Sequence, residues 1–65
     1  MDELLSGRRV LVVEDEMLVL IMIEDMLADL GCKSVTSAAT IDKALALIDA
    51  QAFDFALIGY KPEWS

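Results

Sequence analysis

Three consecutive acids, Glu14, Asp15 and Glu16, are the residues of this chain best placed to do chemistry. They follow directly on Val10, Leu11, Val12 and Val13, four apolar residues of which three are β-branched. Such a run reads as a strand buried on both faces, the habit of a parallel sheet rather than of a hairpin with one wet face. Carboxylates cannot continue into a dry sheet, so the strand stops at them, and a long apolar pattern opens at Met17. Open parallel α/β sheets bind ligands just outside the carboxyl ends of their strands. Glu14 and Asp15 then stand where such a protein would hold a cation. The same acids also suit a purely local role, since at a helix start they favour capping and the helix dipole by about 0.3–1 kcal/mol each.

The elements that position these acids alternate along the chain. A first strand covers about Arg9–Val13, with Arg8 and Arg9 as solvated charges at its start. Leu20, Ile23, Leu27 and Leu30 then recur at helical spacing, while Glu24, Asp25 and Asp29 share another face and Gly31 supplies a stop, so the spacing predicts a helix over Glu16–Leu30. Its first half is apolar almost all round; Met17, Ile21 and Met22 lie outside the stripe a sheet would cover, which calls for a partner on that side. A short strand around Val35 follows, over Lys33–Ser37, and Cys32 before it reads as a packed small residue. A second helix spans Thr40–Ala50, with Thr40 as N-cap and Ile41, Ala44, Leu45, Leu47 and Ile48 as its stripe. A third strand, Asp54–Ile58, ends at Gly59. The order β-α-β-α-β implies a parallel sheet with right-handed crossovers. Residues 1–7 read as a disordered leader, 8–59 as the domain, and 60–65 as an irregular tail in which Trp64 leans toward packing on an apolar edge.

Composition narrows the function classes. The 65 residues carry 12 acids against 5 bases, a formal charge of −7, and no histidine. Nucleic-acid binding needs a basic stripe, and Arg8, Arg9, Lys33, Lys43 and Lys61 are too few and too scattered. Anionic membrane is disfavoured on the same ground. A single cysteine allows no internal disulfide and suits a reducing compartment, and the longest apolar run, Met17–Ile23, is far short of a transmembrane span. The expectation is a soluble, cytoplasmic protein. An apolar content of 57% is high for so small a chain, and a chain of this size buries only about 60% of its surface alone. Self-association is the expected use of the surplus.

Four stretches together carry a resemblance: Arg9-Val-Leu-Val-Val-Glu-Asp-Glu16, the helix end Met26-Leu-Ala-Asp-Leu-Gly31, the Ala39…Lys43-Ala-Leu45 helix start, and Phe53-Asp-Phe-Ala-Leu-Ile58. They resemble the receiver domain of bacterial response regulators, over its first half only. The resemblance implies a flavodoxin-like half-domain with strand 1 between strands 2 and 3, an origin in two-component signalling, and a histidine kinase as a partner. It also implies that Glu14 and Asp15 match the family's acidic pair, which holds Mg²⁺ while an aspartate ending strand 3 takes the phosphoryl group. Mg²⁺ suits this because it keeps several waters and needs one or two carboxylates plus phosphoryl oxygens.

The acceptor position departs from the family, because Gly59 stands where it carries aspartate and glycine has no nucleophile. Pro62 also falls one residue early, and the hydroxyl residue and lysine of the later strands are missing from the sequence. The expectation is therefore a truncated receiver-like module, not an enzyme, unable to accept phosphate at the usual place and holding Mg²⁺ weakly, if at all, at Glu14 and Asp15. With no fourth strand, Phe55, Leu57 and Ile58 form a hydrophobic open edge. Together with Ile21 and Met22 they are the expected interface of a homodimer or higher oligomer, which would extend the sheet to six strands and cover its bare faces. Two alternatives stay open: an active phosphotransfer domain using Asp54 or Asp15 instead, or a non-functional receiver fragment. A small-molecule flavodoxin-like binder would need a Gly-rich phosphate loop after strand 1, and none is present.

Overall fold

The structure, a computed structural model, describes residues 4–59. Its elements are β1 (Arg9–Val13), α1 (Met17–Asp29), β2 (Ser34–Ala38), α2 (Ile41–Ala50) and β3 (Phe55–Ile58). The three strands are parallel in the order β2-β1-β3, with Val10 opposite Val35 on one side and Phe55 on the other. The expected α/β layout, with strand 1 in the centre, is thus present. β2 ends one residue later than its sequence suggested, since Ser34–Ala38 has too few apolar residues to mark its limits.

β1 is the core. Its alternate side chains enter two separate clusters, one on each face of the sheet. Val10 and Val12 pack with Leu20 and Leu27 of α1, with Ile23, Leu30, Cys32 and Val35 around them. Leu11 and Val13 pack with Ala38 and Ala44, flanked by Leu47 and Phe53. One helix therefore covers each face, and the buried stripe of α1 is the predicted one. The stripe of α2 is not. Ala44 is buried and Leu47 half-buried, but Ile41, Leu45 and Ile48 are exposed. The physical reason is width: α2 rests on β1 and β2 and does not reach β3. Met17, Ile21 and Met22 of α1 are likewise exposed in the single chain. Among the described residues no helix is long and apolar enough to cross a membrane.

Two expectations for the amino end of the sheet need correction. Residues 4–7 of the expected disordered leader are docked. Leu5 packs against the α1-side cluster, and the Gly7 N–H donates to the Gly31 carbonyl at 2.9 Å. Gly7 and Gly31 both adopt positive φ, 73° and 83°, where a side chain would be strained. Residues 1–3 and the tail 60–65, Trp64 included, lie outside the described residues.

The second correction concerns Arg9, which is not a free end charge. Its backbone N–H donates to Asp54 Oδ2 at 2.9 Å, its Nε approaches the same oxygen at 3.4 Å, and its carbonyl accepts from the Asp54 N–H at 2.8 Å. This clasp sets the register in which β3 meets β1.

The clasp leaves a pH signature. The Arg9 backbone N–H, and after it the guanidinium, hold the Asp54 carboxyl below its ordinary value of 3.8. A carboxylate favoured in the folded state contributes stability that is fully present above its unfolded pKa. That contribution is lost as pH falls through the lower folded value. Denaturant titrations from pH 7 downward should therefore show the wild type steeper than Asp54→Asn below about pH 4, with the two curves converging once Asp54 is protonated. Parallel curves would mean that the clasp contributes nothing.

Candidate site at the carboxyl end of the sheet

The chain leaves β1 at Glu14, whose N–H donates to the Ala38 carbonyl at 3.0 Å and so extends the β1–β2 ladder by one residue. Its side chain folds over the end of the sheet rather than into solvent. Glu14 is 6% exposed, the one buried charged residue among those described. Its Oε1 accepts from the Glu16 N–H at 3.1 Å, closing a tight local turn. Its other oxygen lies over Gly59.

Gly59 is held next to Glu14 by its own N–H, which donates to the Val13 carbonyl at 2.8 Å. A Cβ placed on Gly59 would meet Glu14 Oε2 well inside contact distance, with Glu14 Cδ at 3.3 Å and the Val13 oxygen at 3.8 Å. The space that a side chain at position 59 would need is thus taken by the carboxylate of Glu14. A second carboxylate there would have to displace the first and then lie beside a like charge, which costs free energy in so dry a place.

Asp15 is exposed and lines a different surface, an open notch of about 370 Å³ shared with Ala39, Thr40, Ile41 and Asp42. Thr40 Oγ1 accepts from the Lys43 N–H at 3.1 Å, so that hydroxyl is engaged as the N-cap of α2, as its sequence position predicts. Asp42 beside Asp15 was not foreseen. Only the β2–α2 turn brings these two acids to one notch, and nothing in the spacing of residues 15 and 42 signals it. Among the described residues no group of three or more His, Cys, Asp or Glu side chains is placed to hold a metal ion.

Capping accounts for less of the acid run than its position suggests. Glu16 occupies the N-cap place of α1, but its side chain makes no cap hydrogen bond, and the first turn contains no acid. Among the described residues, the one N–H satisfied by a side chain of this run is that of Glu16, through Glu14. Asp54, a candidate alternative acceptor, is at the opposite end of the sheet. Five residue steps, about 16 Å at 3.3 Å each, separate it from Gly59, and it is bonded to Arg9.

The other candidate surface is β3. Phe55, Ala56, Leu57 and Ile58 are all exposed, and neither helix packs on the strand. The five residues expected at an interface, Phe55, Leu57, Ile58, Ile21 and Met22, all face solvent in the single chain. Beside the start of β3 is a second open notch, of about 460 Å³, lined by Leu11, Ile48, Phe53, Phe55 and Ala56 among others. Comparison with protein-family models, with characterised proteins and with solved structures finds no match to this chain.

Proposed function

We propose that the chain is a flavodoxin-like half-domain of receiver type that has lost phosphoryl transfer and works by binding protein, first of all a second copy of itself. The observation that carries this reading is β3. Among the described residues, its four consecutive apolar side chains belong to a strand paired on one side only and covered by neither helix. An apolar strand with an open edge gains hydrogen bonds and burial together when another strand is added to it. Light scattering on the eluting protein, across a hundredfold concentration range, tests this. A dimer mass, or one that rises toward dimer with concentration, is expected; a constant monomer mass overturns the reading.

The loss of phosphoryl transfer rests on the other end of the sheet. Receiver chemistry would need a nucleophile at position 59 and a cation held by Glu14 and Asp15. Gly59 offers no nucleophile, and Glu14 is folded over that position. The acids that remain for a weak Mg²⁺ site are Asp15, on its own notch, and the second oxygen of Glu14. Incubation with acetyl phosphate and Mg²⁺, read by intact mass, should leave the mass of the chain unchanged. A stable gain of one phosphoryl group would overturn this and favour the reading in which another acid accepts. Asp15 would then be the candidate, because the Asp54 carboxylate is held by Arg9 away from the site. An origin in two-component signalling, a histidine kinase partner and a cytoplasmic location belong to this same proposal.

A further inference from the structure

We infer that the second copy docks in one particular way: antiparallel across the β3 edge, about a two-fold axis through Leu57, with the partner's Ile58 seated opposite Ala56 beside Ile48. The inference rests on the self-association proposed above and adds to it the orientation, register and contact residues.

Orientation follows from the backbone. Gly59 donates its N–H to the Val13 carbonyl. Backbone groups alternate sides along an extended strand, so Leu57 and Phe55 also turn theirs toward β1. The N–H and C=O of Ala56 and Ile58 therefore point to the open edge. Two identical strands related by a two-fold axis along their length would set each residue opposite itself, both turned outward or both turned away. Parallel pairing needs an outward residue opposite one turned away, so that arrangement cannot form its ladder. A two-fold axis normal to the sheet makes the strands antiparallel, and outward residues then meet outward residues.

Register follows from which edge groups are engaged. An axis through Leu57 places Ala56 opposite the partner's Ile58 and the reverse, and each such pair exchanges both of its N–H···O bonds. An axis through Ala56 would need the Asp54 N–H, which is already donated to the Arg9 carbonyl. Between these two registers, the Leu57 axis is the one that uses only edge groups of β3 left without a partner among the described residues.

The side chains agree with this register. Ala56 and Ile58 are opposite Leu11 and Val13 of β1, so they lie on the face covered by α2. Ala56, the small residue of β3, lines the 460 Å³ notch together with Ile48 and Leu11. Ile58 is 64% exposed, the most of the three large β3 residues. The two-fold axis brings the partner's Ile58 beside this notch.

Charge favours the same choice of partner and orientation. At a charge of −7 a chain meets its own copy at least cost through a surface without unpaired acids, and Phe55–Ile58 carries none. Antiparallel pairing also sets the Glu14–Glu16 run of one copy at the end of the strand pair where the other carries Arg8 and Arg9. The two acid runs are staggered by about 13 Å along the strands. Parallel pairing would bring them level.

Cysteine cross-linking tests the geometry. In a Cys32→Ala background, Leu57→Cys places two thiols directly opposite at a non-hydrogen-bonded pair, within disulfide reach. Phe55→Cys places them about 13 Å apart, beyond it. Under mild oxidation Leu57→Cys should form disulfide dimer at least about tenfold faster than Phe55→Cys at equal concentration. Equal rates, or no cross-link at Leu57→Cys while light scattering still reports a dimer, would overturn the geometry and leave self-association standing. A monomer by light scattering would overturn both. Both substituted positions are exposed, and circular dichroism of each variant confirms that it remains folded.

Discussion

Leu27→Ala should leave most of the chain unfolded at 25 °C. Leu27 is 2% exposed and joins Leu20 in packing α1 onto Val10 and Val12. Truncating a buried leucine removes its transfer free energy and leaves a cavity, together about 2–5 kcal/mol. A domain of this length has roughly 3–10 kcal/mol of stability in all. This one belongs at the low end, because Met17, Leu18, Ile21, Met22 and Met26 of the same helix contribute little burial in the single chain. The cavity also cannot be refilled from the far side, since β1 separates the two core clusters. Urea titration followed by circular dichroism measures the loss, and Met26→Ala is the comparison. Met26 adjoins Leu27 but is 55% exposed, so its truncation should change stability by less than about 0.5 kcal/mol at concentrations where the chain is monomeric. Equal losses for the two variants would mean that the outer face of α1 is covered as well as the inner one.

What was legible in the sequence was what local chemistry dictates. The unbroken Val10–Val13 run could only be a strand with both faces buried, and it is. The i, i+3, i+7 spacing from Leu20 named the face of α1 that meets it, and Thr40 named the start of α2 through its hydroxyl. The bare state of β3 could be foreseen by counting strands against helices. What escaped was whatever depends on two distant segments meeting. Arg9 and Asp54 are 45 residues apart, and neither residue type signals the other. Leu5 looked like part of a loose leader because two adjacent leucines, Leu4 and Leu5, have no periodicity to read. The fold of Glu14 over Gly59 needs the ends of β1 and β3 to be neighbours, and then a glycine to leave the room. The exposed half of the α2 stripe escaped for a different reason: periodicity tells which residues share a face, but not how much sheet lies beneath it.

Leu57→Lys should turn any dimer into monomer while leaving the fold of the single chain nearly unchanged. Leu57 is 42% exposed in one copy, so a lysine there keeps its charge in water and costs the monomer under about 0.5 kcal/mol. In the two-fold pair the position meets its own copy. One substitution therefore removes two leucine contacts, roughly 1 kcal/mol each for the area still exposed before pairing. It also sets two like charges directly opposite, which costs up to about 1 kcal/mol more. The sum, about 2–3 kcal/mol, is a loss of roughly 30- to 150-fold in dimer affinity. The sign of the charge is chosen on purpose. Lysine moves the net charge from −7 to −6, so if general repulsion between acidic chains limited association, this variant would associate more tightly. Sedimentation or light scattering over the same concentration range decides it. Weaker association places the partner on the β3 edge; association unchanged or stronger moves it to an exposed helix face, Ile21 and Met22 on α1 or Leu45 and Ile48 on α2.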